Sequence, residues 1–187
     1  YEYSSLATCD PNNDQCVNLV PSNDDYANAE TVSCGSTVTS STVYASIDGV
    51  DATSSDIWYQ FTGTGDLVKI SLCGSGFDTY LRVYEEINGS ILVDENDDAG
   101  WGSACDLANG GQGANRSELD FNAQIGKDYR IQISGYGSNV GNVAMVVTCN
   151  VVYGCMDSQA TNYDMTATVD DGSCTYCSDN IVVLTLG

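Results

Sequence analysis

The chain has 187 residues, of which 26 are Asp or Glu and only 5 are Lys or Arg, so its formal charge is -21. A negative charge of this size excludes nucleic acid and anionic membranes as electrostatic partners. Nine cysteines and no histidine predict disulfide bonds in an extracellular or cell-surface protein, and they exclude Ser-His-Asp and Cys-His catalytic sites. Since no apolar run approaches the ~20 residues of a membrane-spanning helix, we expect no membrane insertion.

The pattern along the chain is typical of β-structure. Residues 1–22 form a polar extension in which Cys9 and Cys16 are expected to pair. Residues 23–150 contain short strands with alternating apolar residues and no sustained helical period. The predicted strands are Thr37–Tyr44, Ile57–Thr62, Leu67–Leu72, Thr79–Glu85, Ile91–Asp94, Glu118–Asn122, Tyr129–Ser134 and Val143–Thr148. They predict an all-β fold, an antiparallel β-sandwich of jelly-roll type.

A long loop rich in Gly, Asp and Asn follows the predicted strand that ends at Asp94. Loops of this length in compact domains usually have a function. Carboxylate and amide oxygens are the ligands that calcium prefers. The predicted calcium ligands are Asp78, Asp94, Asn96, Asp97 and Asp98. The alternative is a solvated turn, since Asn, Asp and Gly also form turns.

Residues 151–178 are predicted to form a small C-terminal module without a hydrophobic core of its own. A segment of this kind needs a disulfide or a metal ion to fold. Cys155 and Cys174 are expected to close it as a disulfide, with Gly172 at a sharp turn. The predicted calcium ligands within it are Asp157, Asp164, Asp170 and Asp171.

Four of the remaining cysteines are expected to cross-link the sandwich through two disulfide bonds. Cys34 and Cys149 bracket it, so a bond between them would join its first strand to its last, and Cys73 is expected to pair with Cys105. The number of cysteines leaves other connectivities open. Cys177 is left over, as a free thiol or a partner for another chain.

Two N-glycosylation sequons, beginning at Asn88 and Asn115, lie in predicted loops. They are candidate glycan acceptors, and the alternative is that they occur by chance.

One stretch resembles a known domain type. Phe77-Asp-Thr-Tyr-Leu-Arg-Val-Tyr84, Asp94-Glu-Asn-Asp-Asp98 and Asp128-Tyr-Arg-Ile-Gln-Ile-Ser-Gly-Tyr136 together resemble the bacterial pre-peptidase C-terminal β-sandwich, over residues 23–149. The resemblance implies a non-catalytic appendage of a secreted protein, of a kind in which related domains bind calcium and extracellular matrix. The cysteines depart from the usual pattern.

A second stretch covers the C-terminal module. Tyr153-Gly-Cys-Met-Asp157, Ala160-Thr-Asn-Tyr-Asp164 and Ala167-Thr-Val-Asp-Asp-Gly-Ser-Cys174 resemble a short repeat of secreted bacterial proteins that is itself similar to the thrombospondin type 3 calcium repeat. The resemblance implies a calcium-organised, disulfide-closed spacer without an activity.

Residues 179–187 are predicted to form a C-terminal strand, which would expose an aggregation-prone edge if it were left unpaired. Its apolar residues are Ile181, Val182, Val183, Leu184 and Leu186. We expect this segment to be donated to another copy of the chain. The alternatives are pairing within its own chain and a role as the start of a further domain.

The favoured function is a non-catalytic, self-assembling subunit of an extracellular filament or cell-surface appendage. The alternative is a carbohydrate- or matrix-binding accessory module of a larger secreted enzyme. Trp58, Tyr59, Trp101 and Tyr136 could line a sugar-binding face, or they could pack in the core of the sandwich; the core is favoured for Trp58 and the surface for Trp101. A glycosidase with paired carboxylates is a third hypothesis. It is disfavoured because the acidic residues cluster in loops that suit ions.

Overall fold

A computed structural model of the protein describes residues 7–9, 16–18, 20–48, 53–87, 89–100, 103, 105, 115–150, 152–167 and 169–176. The chain divides into two compact units, Tyr1–Cys149 and Asn150–Gly187. The division falls beside the predicted end of the sandwich at residue 150. Within the described ranges, no helix has the length and apolar composition that crossing a lipid bilayer requires.

The eight predicted strands are all present. The strands in chain order are β1 (Ala7–Cys9), β2 (Cys16–Asn18), β3 (Glu30–Thr31), β4 (Thr37–Ser41), β5 (Ile57–Thr62), β6 (Leu67–Ser71), β7 (Thr79–Glu86), β8 (Ser90–Asn96), β9 (Glu118–Asn122), β10 (Asp128–Gly135), β11 (Asn142–Cys149), β12 (Tyr153–Gly154) and β13 (Val169–Asp170), with a 3-10 turn at Tyr26–Asn28. β4 ends before the predicted Tyr44, where φ is 70° and the backbone leaves the extended region. β8 extends past the predicted Asp94 to Asn96.

Two sheets form the sandwich. One has the order β3-β5-β10-β7-β8 and the other the order β4-β11-β6-β9. The pairings are antiparallel except for the one between β3 and β5. The predicted antiparallel β-sandwich is therefore confirmed.

The hydrophobic core lies between the two sheets because strand alternation turns one face of each sheet inward. Its largest fully buried members include Tyr59, Phe61, Ile70, Ile131 and Met145. Phe121 meets the rings of Phe61 and Tyr129 edge to face, with centroids 6.3 and 5.0 Å away. The opposite faces of the strands remain available for polar contacts.

Three of the expected disulfide pairs are bonded. Cys34 joins Cys149 and Cys73 joins Cys105 within the sandwich unit, and Cys155 joins Cys174 in the C-terminal unit. For the fourth expected pair, the β1–β2 register places Cys9 opposite Cys16, but their side chains lie outside the described part of the structure.

The C-terminal unit contains little regular structure. Its strands β12 and β13 are two residues long and pair in parallel. Cys155 is 1% exposed, while most other described residues of the unit are exposed. The disulfide therefore occupies the centre that a hydrophobic cluster would occupy in a larger domain.

Candidate functional site

The ends of β7 and β8 bring three acidic side chains together. Asp78 immediately precedes β7, and Asp97 and Asp98 immediately follow β8. The antiparallel pairing places these ends side by side, with Leu81 opposite Asn96. One carboxylate oxygen from each of the three aspartates lies within 4.8 Å of the others. The antiparallel hairpin thus assembles the cluster from residues that are distant in sequence.

Burial and the charges of neighbouring aspartates raise the pKa values of Asp78 and Asp97. Burial raises the pKa of Asp78, the charge of Asp98 raises it further, and Arg116 opposes the shift. Burial also raises the pKa of Asp97, with added repulsion from Asp98 and Asp78 and an opposing effect of Arg82. Three carboxylates this close repel one another when all are ionised.

The chemistry of this cluster fits a hard cation. The Oδ1 atoms of Asp78 and Asp97 are buried and have no hydrogen-bond partner, which is costly for carboxylate oxygens. Calcium binds oxygen ligands and would neutralise the mutual repulsion of the carboxylates. Asp78, Asp97 and Asp98 are therefore the predicted ligands whose arrangement suits calcium.

The other two predicted ligands of this loop lie elsewhere. Asp94 is within β8, opposite Val83. Burial raises the pKa of Asp120 on β9, the charge of Lys69 opposes this shift, and the charge of Asp94 adds a smaller increase. Asn96 uses its side-chain oxygen to accept a hydrogen bond from the backbone N–H of Glu118, at 2.9 Å. Asp94 is outside the acidic cluster because the strand continues past it.

The predicted ligands of the C-terminal unit are engaged in turns of their own. Asp157, Asp164, Asp170 and Asp171 each accept a hydrogen bond from the backbone N–H two residues later, at 2.8–3.1 Å. Within the described residues, none of them belongs to a group of three carboxylates within 4.8 Å.

Hydrogen bonds favour the ionised form of three of these groups. The backbone N–H of Gln159 lowers the pKa of Asp157, and the Tyr176 hydroxyl adds to the effect. Side-chain and backbone groups two residues later lower the pKa values of Asp164 and Asp171. Each of these three carboxylates is thus a hydrogen-bond acceptor within its own turn.

Several predicted functional residues fall outside the described residues. They are Asn88, Trp101, Cys177 and the C-terminal residues Ile181, Val182, Val183, Leu184 and Leu186. The second sequon is described: Asn115 is exposed, and its side-chain oxygen accepts a hydrogen bond from Arg116 at 2.9 Å.

Among the residues that the structure describes, strand β8 forms an open edge that the sequence pattern did not reveal. It is the last of the described strands in the five-stranded sheet, and β7 is its one neighbour there. Three consecutive apolar residues are exposed along it: Ile91 at 56%, Leu92 at 42% and Val93 at 41%. Exposed apolar edge strands are templates for pairing with another chain.

A polar groove on the outer face of the five-stranded sheet was also missed. It has a volume of about 350 Å³ and is lined by Thr31, Gln60, Thr62, Glu86, Asp128 and Arg130. The alternation of Arg130 with buried Tyr129 and Ile131 places it on the outer face. The alternation around Arg130 can be read from the sequence. The lateral order of the strands, which brings the lining residues together, cannot.

Comparisons with known proteins cover parts of the chain. No protein-family model matches it. The chloroplastic ribulose bisphosphate carboxylase/oxygenase activase of Spinacia oleracea is 52% identical over 40 residues, which make up 21% of this chain and 8% of that protein. The chain therefore spans only a small part of that relative.

One solved structure is similar in part. The pre-peptidase C-terminal domain of collagenase from Bacillus anthracis matches with a TM-score of 0.40 and 16% identity, over 64% of this chain and 94% of that domain. It is of the domain type that the Phe77–Tyr84 motif resembles, while the thrombospondin-like calcium repeat stays a prediction.

Proposed function

We propose that this chain is a non-catalytic structural subunit of an extracellular filament or cell-surface appendage. The C-terminal strand of one subunit pairs with the β8 edge of the next. The exposed apolar edge of β8, with Ile91, Leu92 and Val93 each more than 40% exposed, is the observation that carries the proposal. A stable monomer normally protects such an edge.

β8 is the best acceptor among the sheet edges. β3, at the other end of the same sheet, is two residues long. β4 has the polar sequence Thr-Val-Thr-Ser-Ser. β9 is five residues long, and both of its apolar side chains, Leu119 and Phe121, are buried. β8 offers seven residues with an apolar centre.

The donor is the segment Ile181–Leu186, whose six residues are one fewer than the seven of β8. Added strands bind through main-chain hydrogen bonds and alternate side chains. The segment carries no charge, so it can approach an acidic neighbour without local repulsion. Because donor and acceptor surfaces differ, the contact is heterologous and extends into an open filament.

Calcium is the second part of the proposal. Subunits with a formal charge of -21 repel one another at close range. Calcium bound by Asp78, Asp97 and Asp98 would remove part of that charge at the end of β8. The buried, unpartnered oxygens of Asp78 and Asp97 support this site over the turn-forming aspartates of the C-terminal unit.

A matched pair of substitutions tests the acceptor edge. Leu92→Lys places a charge on β8, and Val146→Lys places the same charge on β11, an inner strand, at a residue that is also 42% exposed. We expect Leu92→Lys to abolish filaments in negative-stain micrographs and Val146→Lys to leave them intact. Equal effects of the two variants would refute β8 as the acceptor.

Deletion of residues 180–187 tests the donor independently. Light scattering should report monomers for the deleted chain and assemblies for the full chain. Undiminished assemblies after deletion would exclude this segment and make residues 1–8 the next candidate.

A further inference from the structure

The groove on the outer face of the five-stranded sheet has a regular floor. Thr31, Gln60, Arg130 and Tyr84 lie directly opposite one another on β3, β5, β10 and β7. Residues paired in this way project from the same face of a sheet. Their side chains therefore form one row across four strands, and Thr31, Gln60 and Arg130 line the groove.

Arg130 is the central donor of this row, and its hydrogen-bonding capacity is only partly used. Its Nη1 donates to the side-chain oxygen of Gln60 at 3.0 Å, and its guanidinium lies 5.1 Å from the centroid of the Tyr26 ring. Its Nε is buried without a hydrogen-bond partner. A buried N–H without an acceptor is costly.

Ion pairing distinguishes Arg130 from most other cationic side chains in the protein. Lys69, Arg82 and Lys127 each form an ion pair with a glutamate at 2.6–3.0 Å. Arg130 forms none with any residue that the structure describes. In a chain with 26 acidic residues, an arginine without a carboxylate partner suggests that its donors serve another group.

The remaining lining residues define what that group can be. Glu86 and Asp128 also line the groove, so an anionic ligand would meet two carboxylates as well as the net charge of the chain. A cationic ligand would meet Arg130. Donors and acceptors lie side by side: the Thr62 hydroxyl donates to Asp128 at 2.9 Å. A neutral ligand rich in hydroxyl groups suits such a lining, because each hydroxyl both donates and accepts.

The Tyr26 ring beside the Arg130 guanidinium is held in place. The Tyr26 ring meets Trp58 edge to face at 5.1 Å, and its hydroxyl lies 3.0 Å from that of Ser90. The groove volume of about 350 Å³ is at the lower end of the range for small-molecule sites. A ligand of one or two sugar rings is of the appropriate size.

We propose that this groove binds a neutral saccharide through Arg130, Gln60, Glu86 and Asp128. A rotation of the Arg130 side chain toward the groove would bring its Nε–H to a sugar hydroxyl. This site is separate from the assembly edge in the proposed function, and each can be tested while the other is left intact.

Titration of the full chain followed by NMR tests the proposal directly. The probes are maltose, cellobiose and N,N′-diacetylchitobiose, with acetate as an anionic control and glucosamine as a cationic control. We expect at least one neutral disaccharide to shift the Arg130 Nε–H and Gln60 side-chain signals in a saturable manner. A response to acetate or glucosamine in place of the disaccharides, or no response at all, would overturn the proposal.

Two conservative substitutions separate recognition from folding. Arg130→Lys keeps the charge but removes the planar set of donors. Arg82→Lys makes the same change on the same face of the sheet, at a residue paired with Glu95 outside the groove. We expect Arg130→Lys to weaken binding at least about tenfold and Arg82→Lys to leave it unchanged. Equal affinities for the two variants, with both folded by thermal melting, would contradict the role of Arg130.

Discussion

Burial has a large effect on the acidic side chain of Asp56. It is fully buried and accepts hydrogen bonds from the side chain of Gln132 at 2.7 Å and the backbone N–H of Asp48 at 3.1 Å. Gln132 in turn accepts from the Tyr84 hydroxyl at 3.0 Å. Burial raises the pKa of Asp56 to about 6, against the hydrogen bonds from Gln132 and Asp48. The folded state therefore favours the protonated form of this carboxyl group.

This shift predicts that mild acid stabilises the sandwich. Because the pKa of Asp56 is higher in the folded than in the unfolded chain, the folded state binds more protons between about pH 4 and pH 6. Its stability should rise as the pH falls through that range, by on the order of 3 kcal/mol. Asp56→Asn should remove this contribution, since the Gln132 amide can turn to accept from the new amide. Urea titrations at several pH values would measure it, and parallel profiles for the two proteins would contradict it.

The acidic loop shows how far residue-scale prediction from sequence extends. Asp78, Asp97 and Asp98 were predicted together and lie together. Asp94 is a further predicted ligand because the sequence predicts that the strand ends there and the loop begins. In the structure residues 94–96 remain paired with β7, so Asp94 belongs to the strand. Pairing with a neighbouring strand overrides the weak strand propensity of Asp, Glu and Asn.

At the scale of elements, strands with apolar alternation were predicted best. β5 and β9 have the predicted bounds because alternation and flanking turn residues agree there. β3 was not predicted, since its two residues pair with β5 through tertiary contact and not through propensity. The lateral order that makes β8 an edge and gives the groove its floor cannot be read from the pattern of one strand.

The acidic cluster at the end of the β7–β8 hairpin predicts where calcium acts. We expect calcium to raise the melting temperature of the sandwich in the wild-type chain and in Asp164→Asn, but to have little effect in Asp97→Asn. The reason is that Asp97 has a buried oxygen without a partner, whereas Asp164 is held by Thr166. Calorimetry with calcium and with a chelator would measure the shifts. A calcium response that survives Asp97→Asn would place the ion elsewhere.

At the scale of the whole molecule, the disulfides differ in the length of chain that they close. Cys34 and Cys149 are separated by 115 residues, and Cys73 and Cys105 by 32. In the chain-entropy model these bonds contribute about 5 and about 4 kcal/mol. Replacing the first pair by alanines should therefore cost about 1 kcal/mol more than replacing the second. Denaturant unfolding of the two double variants would measure the difference, and the reverse order would contradict the model.

The same bonds determine how a subunit would carry tension. β8 lies between Cys73 and Cys105 and also between Cys34 and Cys149, so it sits inside two covalent rings. Consider a force applied between β8 and the chain beyond Cys149. Two segments would share this force: the segment from β8 to Cys149, and the segment from β8 back to Cys34, which the disulfide joins to Cys149. Neither segment could extend fully while the other stayed folded, because a covalent bond joins their ends. A filament built through β8 would therefore resist stretching by sharing its load, and reducing agents would make it extensible without breaking its subunit contacts.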